Sequence, residues 1–285
     1  GEPFTIPKVA IATITAFAMS PLLWLSRGDI SAARCPIIIG AAFWALSCLS
    51  LVASGAPLLT SLWGEWARRS GTLFVLVLVL LFAISVVLSR EEVRTALTWL
   101  VGAGVPATAY GLVQMVGADP FPWTDRGWVV STFGNPNFAA AGLSMLALLT
   151  AGLALFGGYH LVWRVLMAPL AALEALVALG TGSSVAIFAV AAGGLLGALA
   201  WVLRMTGPRR SWIAGSLAFV ALVGAALAAL GLLGSGPLSA AVSPDTLQFR
   251  RWYWGAGLRM ALANPIFGVG PDGFGRFDGE FRSEE

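Results

Sequence analysis

The chain has 285 residues, of which 58% are hydrophobic and only 11% are charged. Soluble domains average about 45 to 50% apolar and about 25% charged residues, so this composition excludes an ordinary soluble protein and indicates an integral membrane protein. The formal net charge of +3 is too small, and the basic residues are too scattered, to predict nucleic-acid binding.

Eight apolar runs of nearly bilayer-crossing length follow one another along the chain. A spanning helix needs about 20 mostly apolar residues, and lipid admits only helices or closed barrels because every backbone polar group must be paired internally. Long stretches of Leu, Ala, Val and Gly favour helices. The sequence therefore predicts an all-α, polytopic transmembrane helical bundle, with spans near 8–26, 36–54, 72–89, 95–116, 137–157, 162–180, 184–203 and 211–234.

The two cysteines, Cys35 and Cys48, lie in or beside the second predicted span. They form neither a disulfide framework nor a metal-ligand spacing. No metal-binding motif, P-loop or Ser/His/Asp arrangement occurs in the sequence. We therefore expect no metal and no cofactor.

Basic residues are divided unequally between the two sets of loops. Cytoplasmic loops of membrane proteins carry an excess of Lys and Arg. The richer set follows the odd-numbered spans and is predicted to be cytoplasmic, which places the N-terminus and residues 117–136 and 235–285 outside. The richer set is Arg27, Arg34, Arg90, Arg94, Arg164, Arg204, Arg209 and Arg210, and the poorer set is Lys8, Arg68, Arg69 and Arg126.

Two domains are expected, a membrane domain over residues 1–240 and the start of an external segment over residues 241–285. An outward N-terminus followed almost at once by an apolar run predicts that an upstream span is missing. The chain also stops without a terminal element. We therefore expect it to be a fragment of a longer protein.

Residues 117–137 interrupt the apolar pattern with Pro, Asp and Trp. The prolines exclude a continuous helix, and the aromatic rings suit the headgroup region of a membrane. Asn135 and Pro136 predict a helix start, with Asn135 as the N-cap and Pro136 at the first helical position. Alternatively, the exposed N–H groups of this helix start bind a phosphate or sugar oxygen, aided by Arg126.

Residues 248–262 have the spacing of an amphipathic helix lying on the outer membrane surface. Arg251 and Arg259 share one polar stripe, whereas Arg250 shares a face with Trp254. Such a helix either anchors the chain to anionic headgroups or uses the planar fork of Arg250 to bind a lipid diphosphate.

The run Gly268–Gly273, G-V-G-P-D-G, matches the dinucleotide pattern G-x-G-x-x-G by letter only. A dinucleotide site needs a preceding strand and a following helix, but this run follows an amphipathic helix and contains Pro271. The run instead predicts a turn, with Asp272 exposed.

Two polar residues lie within predicted spans. Glu174 is near the middle of the sixth span, where a charge costs about 2.5 to 3.5 kcal/mol on insertion scales, so it should face the bundle. It is either a functional intramembrane residue or a neutral carboxyl hydrogen-bonded to a neighbouring helix. Gln114, near the outer end of the fourth span, favours an interhelical hydrogen bond.

Taken in order, these stretches resemble the O-antigen ligase family, which comprises polytopic membrane enzymes including O-antigen ligases, O-antigen polymerases and protein O-oligosaccharyltransferases. The resemblance covers about residues 95–277. The first matching group is Gln114 with Phe133, Gly134, Asn135, Pro136 and Asn137, and the second is Arg250, Trp254, Pro265, Gly268, Gly270, Pro271 and Phe274.

The resemblance implies glycan transfer on the outer face of the bacterial inner membrane. The donor would be a glycan on undecaprenyl diphosphate, and the acceptor a lipid A core sugar, another glycan or a protein hydroxyl. Arg250 is the residue carried over for binding the diphosphate. Arg126, Arg251 and Arg276 are further candidates on the same face.

Two features depart from the family pattern. Ser184 stands where many members have an Arg, and the external His that the family uses as a base would lie beyond Glu285. From these departures we expect the chain as given to be inactive. A transporter or a non-catalytic membrane scaffold is the alternative from another class, although only Glu174 offers the intramembrane charge that transport requires.

Overall fold

The computed structural model describes residues 5–21, 23, 34–65, 69–121, 128–232, 235–236, 239 and 244–281, and for residues 5–7, 228, 232 and 244–251 it describes the backbone alone. All regular secondary structure in these residues is helical, which confirms the predicted all-α class. The helices are α1 (Thr5–Met19), α2 (Arg34–Ala53), α3 (Leu58–Trp63), α4 (Thr72–Val87), α5 (Arg90–Met115), α6 (Pro136–Phe156), α7 (Leu161–Gly180), α8 (Ser184–Arg204), α9 (Arg209–Leu232), α10 (Pro244–Ala263) and α11 (Phe274–Phe281). A short 3-10 helix, Ser131–Phe133, precedes α6.

Each of the eight predicted spans coincides with a helix. Six of these helices, α2 and α5 to α9, are long and apolar enough to cross a membrane, whereas Lys8–Met19 and Thr72–Val87 are apolar but shorter. The part of the first predicted span beyond residue 23 lies outside the described residues. By length and composition, then, the chain is a multi-pass membrane protein.

The surface of these helices is apolar over wide areas, as lipid requires. Trp99, Leu196 and Trp212 are at least 65% exposed, and many other aliphatic and aromatic side chains of the helices are at least 40% exposed. Soluble monomers rarely expose contiguous apolar patches larger than a few hundred Å². An apolar exterior of this extent is stable only where the hydrocarbon region of a bilayer covers it.

The chain divides into two compact units, residues 1–93 with 247–285 and residues 94–246. In the first unit, α1 and α2 both pack against α4, and the short helix α3 packs against α2 and α4. The division at residue 240 into membrane and external parts stays a prediction.

The second unit is built around α6. This helix packs against α7 and α8, and α8 packs in turn against α9. Small side chains allow the helices to approach closely, as is usual in membrane bundles. The buried core contains Ala107, Val129, Ala139, Ala140, Leu143, Val177, Ala178 and Ala186.

Candidate functional site

A group of hydrogen-bonded polar residues closes one end of the second unit; we call it the polar cap and define it as Gln114, Asp119, Ser131, Asn135, Asn137 and Ser183. Gln114 Nε2 donates to Asp119 Oδ2 at 2.8 Å, and Gln114 Oε1 accepts from the backbone N–H groups of Val130 at 3.0 Å and Ser131 at 2.7 Å. Gln114 therefore holds the loop before α6 rather than a neighbouring helix, contrary to the prediction of an interhelical bond.

Asp119 and Ser131 complete this connection. Asp119 Oδ1 accepts from the Tyr110 hydroxyl at 2.9 Å and from the Phe121 N–H at 3.0 Å. The Ser131 hydroxyl donates to the Ala107 carbonyl at 2.6 Å and is fully buried. These bonds hold residues 119–121 and 130–131 against the end of α5.

The predicted helix start at Asn135 is confirmed. Asn135 has extended backbone geometry, and its side-chain oxygen accepts from the N–H groups of Asn137 at 2.9 Å and Phe138 at 3.4 Å, with Pro136 at the first helical position. Gly134 adopts φ +74°, the left-handed conformation that turns the chain into this start. Two N–H groups of the helix start are thus already occupied by the cap and cannot also bind an anion.

Asn137 connects the start of α6 to the turn between α7 and α8. The Ser183 hydroxyl donates to Asn137 Oδ1 at 2.7 Å and accepts from the Val185 N–H at 3.2 Å as the N-cap of α8. Asn137 is exposed, and among the described residues its Nδ2 group donates to no other group. The Ser183 bond fixes the amide so that two N–H donors remain open at the surface of the polar cap.

Phe133 fits against a glycine of α6. A Cβ atom at Gly142 would lie 2.5 Å from the Cε1 and Cζ atoms of the Phe133 ring. The Phe-Gly-Asn-Pro-Asn stretch therefore requires a residue without a side chain opposite its aromatic ring.

Replacing Gly142 by Ala is expected to destabilise the protein by about 1 to 3 kcal/mol, the usual cost of overpacking a well-packed interior. The measurement is thermal unfolding of the purified protein in detergent. Gly152 is the matched control, since it lies in the same helix and a Cβ there meets nothing within 4 Å. Equal unfolding temperatures for the two Ala variants would contradict the packing of Phe133 on Gly142.

Arginines occupy the opposite end of the second unit. The Arg94 guanidinium lies 4.1 Å from the centroid of the Tyr159 ring, Arg164 Nε donates to the Ala154 carbonyl at 2.8 Å, and the Arg204 guanidinium lies 4.9 Å from the Phe156 ring centroid. These residues belong to the set predicted to be cytoplasmic, and the orientation of the chain stays a prediction.

The Tyr159 hydroxyl forms part of this basic end. Burial alone would raise the pKa of its phenol, but hydrogen bonds with Thr98, 2.6 Å away, and with Arg94, together with the Arg94 charge, bring that pKa below its usual value.

Glu174 is fully buried between helices of the second unit, as predicted for a charged residue within a span. Both carboxyl oxygens are buried and have no hydrogen-bond partner among the described residues, and the same is true of the Thr150 hydroxyl nearby on α6. A Cβ atom at Gly104 of α5 would lie 3.0 Å from Glu174 Oε1. The two carboxyl oxygens of Glu174 therefore have unused hydrogen-bonding capacity.

The turn after α10 packs against the loop around α3 in the first unit. Asp272 accepts from the Glu65 N–H at 2.6 Å and from the Ser70 hydroxyl at 3.0 Å, and the Ser50 hydroxyl donates to the Phe267 carbonyl. The predicted turn is present, but Asp272 is half-buried rather than exposed because these two donors hold it. No strand precedes the Gly268–Gly273 run in the described residues, consistent with rejecting a dinucleotide site.

The glycines and Phe274 of that turn have structural roles. Gly268 and Gly270 have φ values of +64° and +92°, and a Cβ atom at Gly270 would lie 2.7 Å from the Ser54 hydroxyl oxygen. The Phe274 ring packs 6.1 Å from the Tyr253 ring, which joins the start of α11 to α10. Pro265 lies in the turn itself, directly after α10.

One face of α10 is exposed and apolar. Trp254, Leu258 and Leu262, spaced four residues apart, are 68%, 62% and 72% exposed, whereas Ala256 and Met260 on another face are buried. Arg250 shares the register of the exposed face. The face suits the membrane interface.

The candidate arginines are only partly described. Arg126 lies outside the described residues, and Arg250 and Arg251 lie in α10 with only their backbone described. Arg276 is exposed on α11, with its guanidinium 5.5 Å from the Phe277 ring centroid. Ser184 begins α8, directly after the Ser183 that binds Asn137.

Sequence reasoning missed the roles of Asp119 and Ser183 in the polar cap. Asp119 follows Gln114 by five residues, which is a usable local signal for a bond between them. Ser183 lies 46 residues from Asn137 along the chain, and the sequence alone gives no pairing between them.

Within the described residues, no group of three or more His, Cys, Asp or Glu side chains lies close enough together to hold a metal ion. Comparison with family models, curated proteins and solved structures found no match to this chain. The resemblance to O-antigen ligases therefore rests on the motifs themselves.

Proposed function

We propose that the chain is the membrane-embedded part of an O-antigen ligase-type glycosyltransferase of the bacterial inner membrane. It has eight spans and an external amphipathic helix over residues 248–262. It transfers a glycan from an undecaprenyl-diphosphate carrier to a lipid A core sugar, another glycan or a protein hydroxyl. An O-antigen polymerase or a protein O-oligosaccharyltransferase would differ only in the acceptor.

The observation that supports this proposal is the hydrogen bond between Ser183 and Asn137. It brings together the Phe-Gly-Asn-Pro-Asn stretch and the turn in which related enzymes carry an Arg, two segments separated by two helices in sequence. Among the described residues, the two N–H donors of Asn137 at this junction have no partner. Donors fixed in this way suit the oxygen atoms of a diphosphate or a sugar.

The reaction needs the leaving diphosphate to be stabilised and the acceptor hydroxyl to be deprotonated. The acceptor hydroxyl oxygen forms a bond to the anomeric carbon of the donor, the bond from that carbon to the diphosphate oxygen breaks, and the hydroxyl proton passes to a base. Charge therefore accumulates on the leaving diphosphate. Arg250 is the residue proposed to bind this charge.

A transporter is the second candidate, and Glu174 is the observation that favours it. A transport site near the bilayer midplane normally combines ionisable groups from several helices. In the described residues, α6 brings no ionisable group to Glu174 and α8 carries only Arg204, at its far end. The glycosyltransferase is therefore the better-supported proposal.

Replacing Asn137 by Asp tests the role of the open donors. Asp keeps an oxygen that accepts from Ser183 but replaces two N–H donors by a negative charge, so glycan transfer by the complete protein should fall by about tenfold or more, equivalent to about 1.4 kcal/mol. The measurement is transfer from a lipid-linked donor in isolated membranes, normalised to protein amount.

Ser183→Ala is the matched variant for the same site. It leaves the Asn137 donors in place but removes the bond that orients them, so the loss of transfer should be smaller than in Asn137→Asp. Wild-type rates in Asn137→Asp, with normal protein levels, would contradict a substrate contact at Asn137 and leave the residue a structural link only.

A further inference from the structure

The Glu174 carboxyl is a titratable group that glycan transfer does not use. It lies on α7 with 0% of its surface exposed, and both of its oxygens lack a hydrogen-bond partner in the described structure. The Thr150 hydroxyl on α6, also fully buried, is its polar neighbour and is unsatisfied as well. Because Gly104 of α5 has no side chain, there is space beside it for the carboxyl of Glu174.

No opposite charge faces this carboxyl from the described helices around it. Helix α6 contains no ionisable residue, and α8 contains only Arg204 in its last turn. Helix α5 carries Arg90, Glu91, Glu92 and Arg94 near its start, ten or more residues before Gly104, and Tyr110, which donates to Asp119. On α7 itself, Arg164 precedes Glu174 by ten residues, about 15 Å along the helix axis.

An ionised carboxylate in this position would be buried without a cation and without donors. Burying an unpaired charge costs far more than burying a neutral acid, and such groups change protonation state instead. A neutral carboxylic acid has one O–H donor and can satisfy an adjacent hydroxyl oxygen. Glu174 and Thr150 have complementary groups for this arrangement.

We propose that Glu174 and Thr150 form a proton-binding site inside the helical bundle of the second unit, in which the Glu174 carboxyl carries the proton and its O–H donates a hydrogen bond to the Thr150 hydroxyl oxygen. The site is independent of glycan transfer. Loss of the proton places an unpaired charge between α5, α6 and α7, beside Gly104. Deprotonation therefore weakens the association of these helices.

Infrared spectroscopy of the complete protein in detergent tests the site directly. At neutral pH the wild-type protein should show a carboxylic-acid C=O stretch that shifts in D2O and is absent from Glu174→Gln. Glu92→Gln is the control, since Glu92 is exposed and accepts from the Ser89 N–H, and that variant should keep the band. Thr150→Val should move the band without abolishing it.

Absence of an acid band that shifts in D2O from the wild-type protein at neutral pH would overturn the proposal, and this result does not depend on any variant folding. A band that Thr150→Val leaves unmoved would remove Thr150 from the site.

Thermal unfolding at several pH values tests the coupling to helix packing. A proton held by the folded state and released on unfolding stabilises the fold at low pH, and that contribution is lost as pH rises. The wild-type unfolding temperature should therefore fall towards alkaline pH more steeply than that of Glu174→Gln. Identical slopes in the two proteins would contradict the coupling.

Discussion

Replacing Gly111 by Ala should strongly destabilise the second unit. A Cβ atom at this position of α5 would overlap Cγ1 of Val177 on α7, and it would also touch Ser131 of the polar cap, whose Cβ would be 3.7 Å away. Val177 is fully buried and has no free space to move into. We expect destabilisation of about 3 kcal/mol, at the upper end of the usual cost of overpacking.

Thermal unfolding in detergent measures this effect, and two variants make it specific. Gly102→Ala is the matched control in the same helix, because a Cβ there meets nothing within 4 Å, and it should stabilise α5 by about 0.5 to 1 kcal/mol. Adding Val177→Ala to Gly111→Ala should recover part of the loss through a favourable coupling of about 0.5 to 3 kcal/mol. Purely additive effects would contradict the contact.

Arg250→Lys should abolish glycan transfer while the protein is expressed at its normal level. Lys keeps the positive charge but loses the planar fork of N–H donors that binds two phosphate oxygens at once. The measurement is transfer from an undecaprenyl-diphosphate-linked glycan by membranes containing the complete protein. This is the largest functional effect we expect from one substitution.

Arg94→Lys is the control for Arg250→Lys. It makes the same chemical change at the basic end of the second unit, where Arg94 contacts the Tyr159 ring, and it should retain transfer. If Arg250→Lys also retained transfer, Arg250 would be an anchor to lipid headgroups. The exposed Trp254, Leu258 and Leu262 on the same helix face would then serve as the apolar part of that anchor.

The helices could be predicted because membrane spans depend on length and composition more than on distant contacts. The span predicted over residues 137–157 is Pro136–Phe156, and that predicted over 184–203 is Ser184–Arg204. The Asn135 cap could also be predicted, since its hydrogen bonds reach only two and three residues ahead. Local rules suffice wherever the partners are close in sequence.

The missed features depend on partners distant in sequence. Asp272 is held by Glu65 and Ser70, more than 200 residues away, so its partial burial has no local signal. Ser131 adopts φ +49° to reach Ala107, a conformation that its residue type does not suggest. The helix Phe274–Phe281 has eight residues, two of them Gly, and falls below the length at which apolar periodicity is informative.

The central claim is that the complete protein transfers a glycan from an undecaprenyl-diphosphate carrier. Its most direct test is reconstitution in lipid vesicles with such a donor and, in parallel, a lipid A core, a glycan and a protein acceptor, followed by measurement of undecaprenyl diphosphate release and of the glycosylated product. Release and product formation should occur in equal amounts with one of these acceptors. Correctly folded protein that yields neither with any acceptor would contradict the claim.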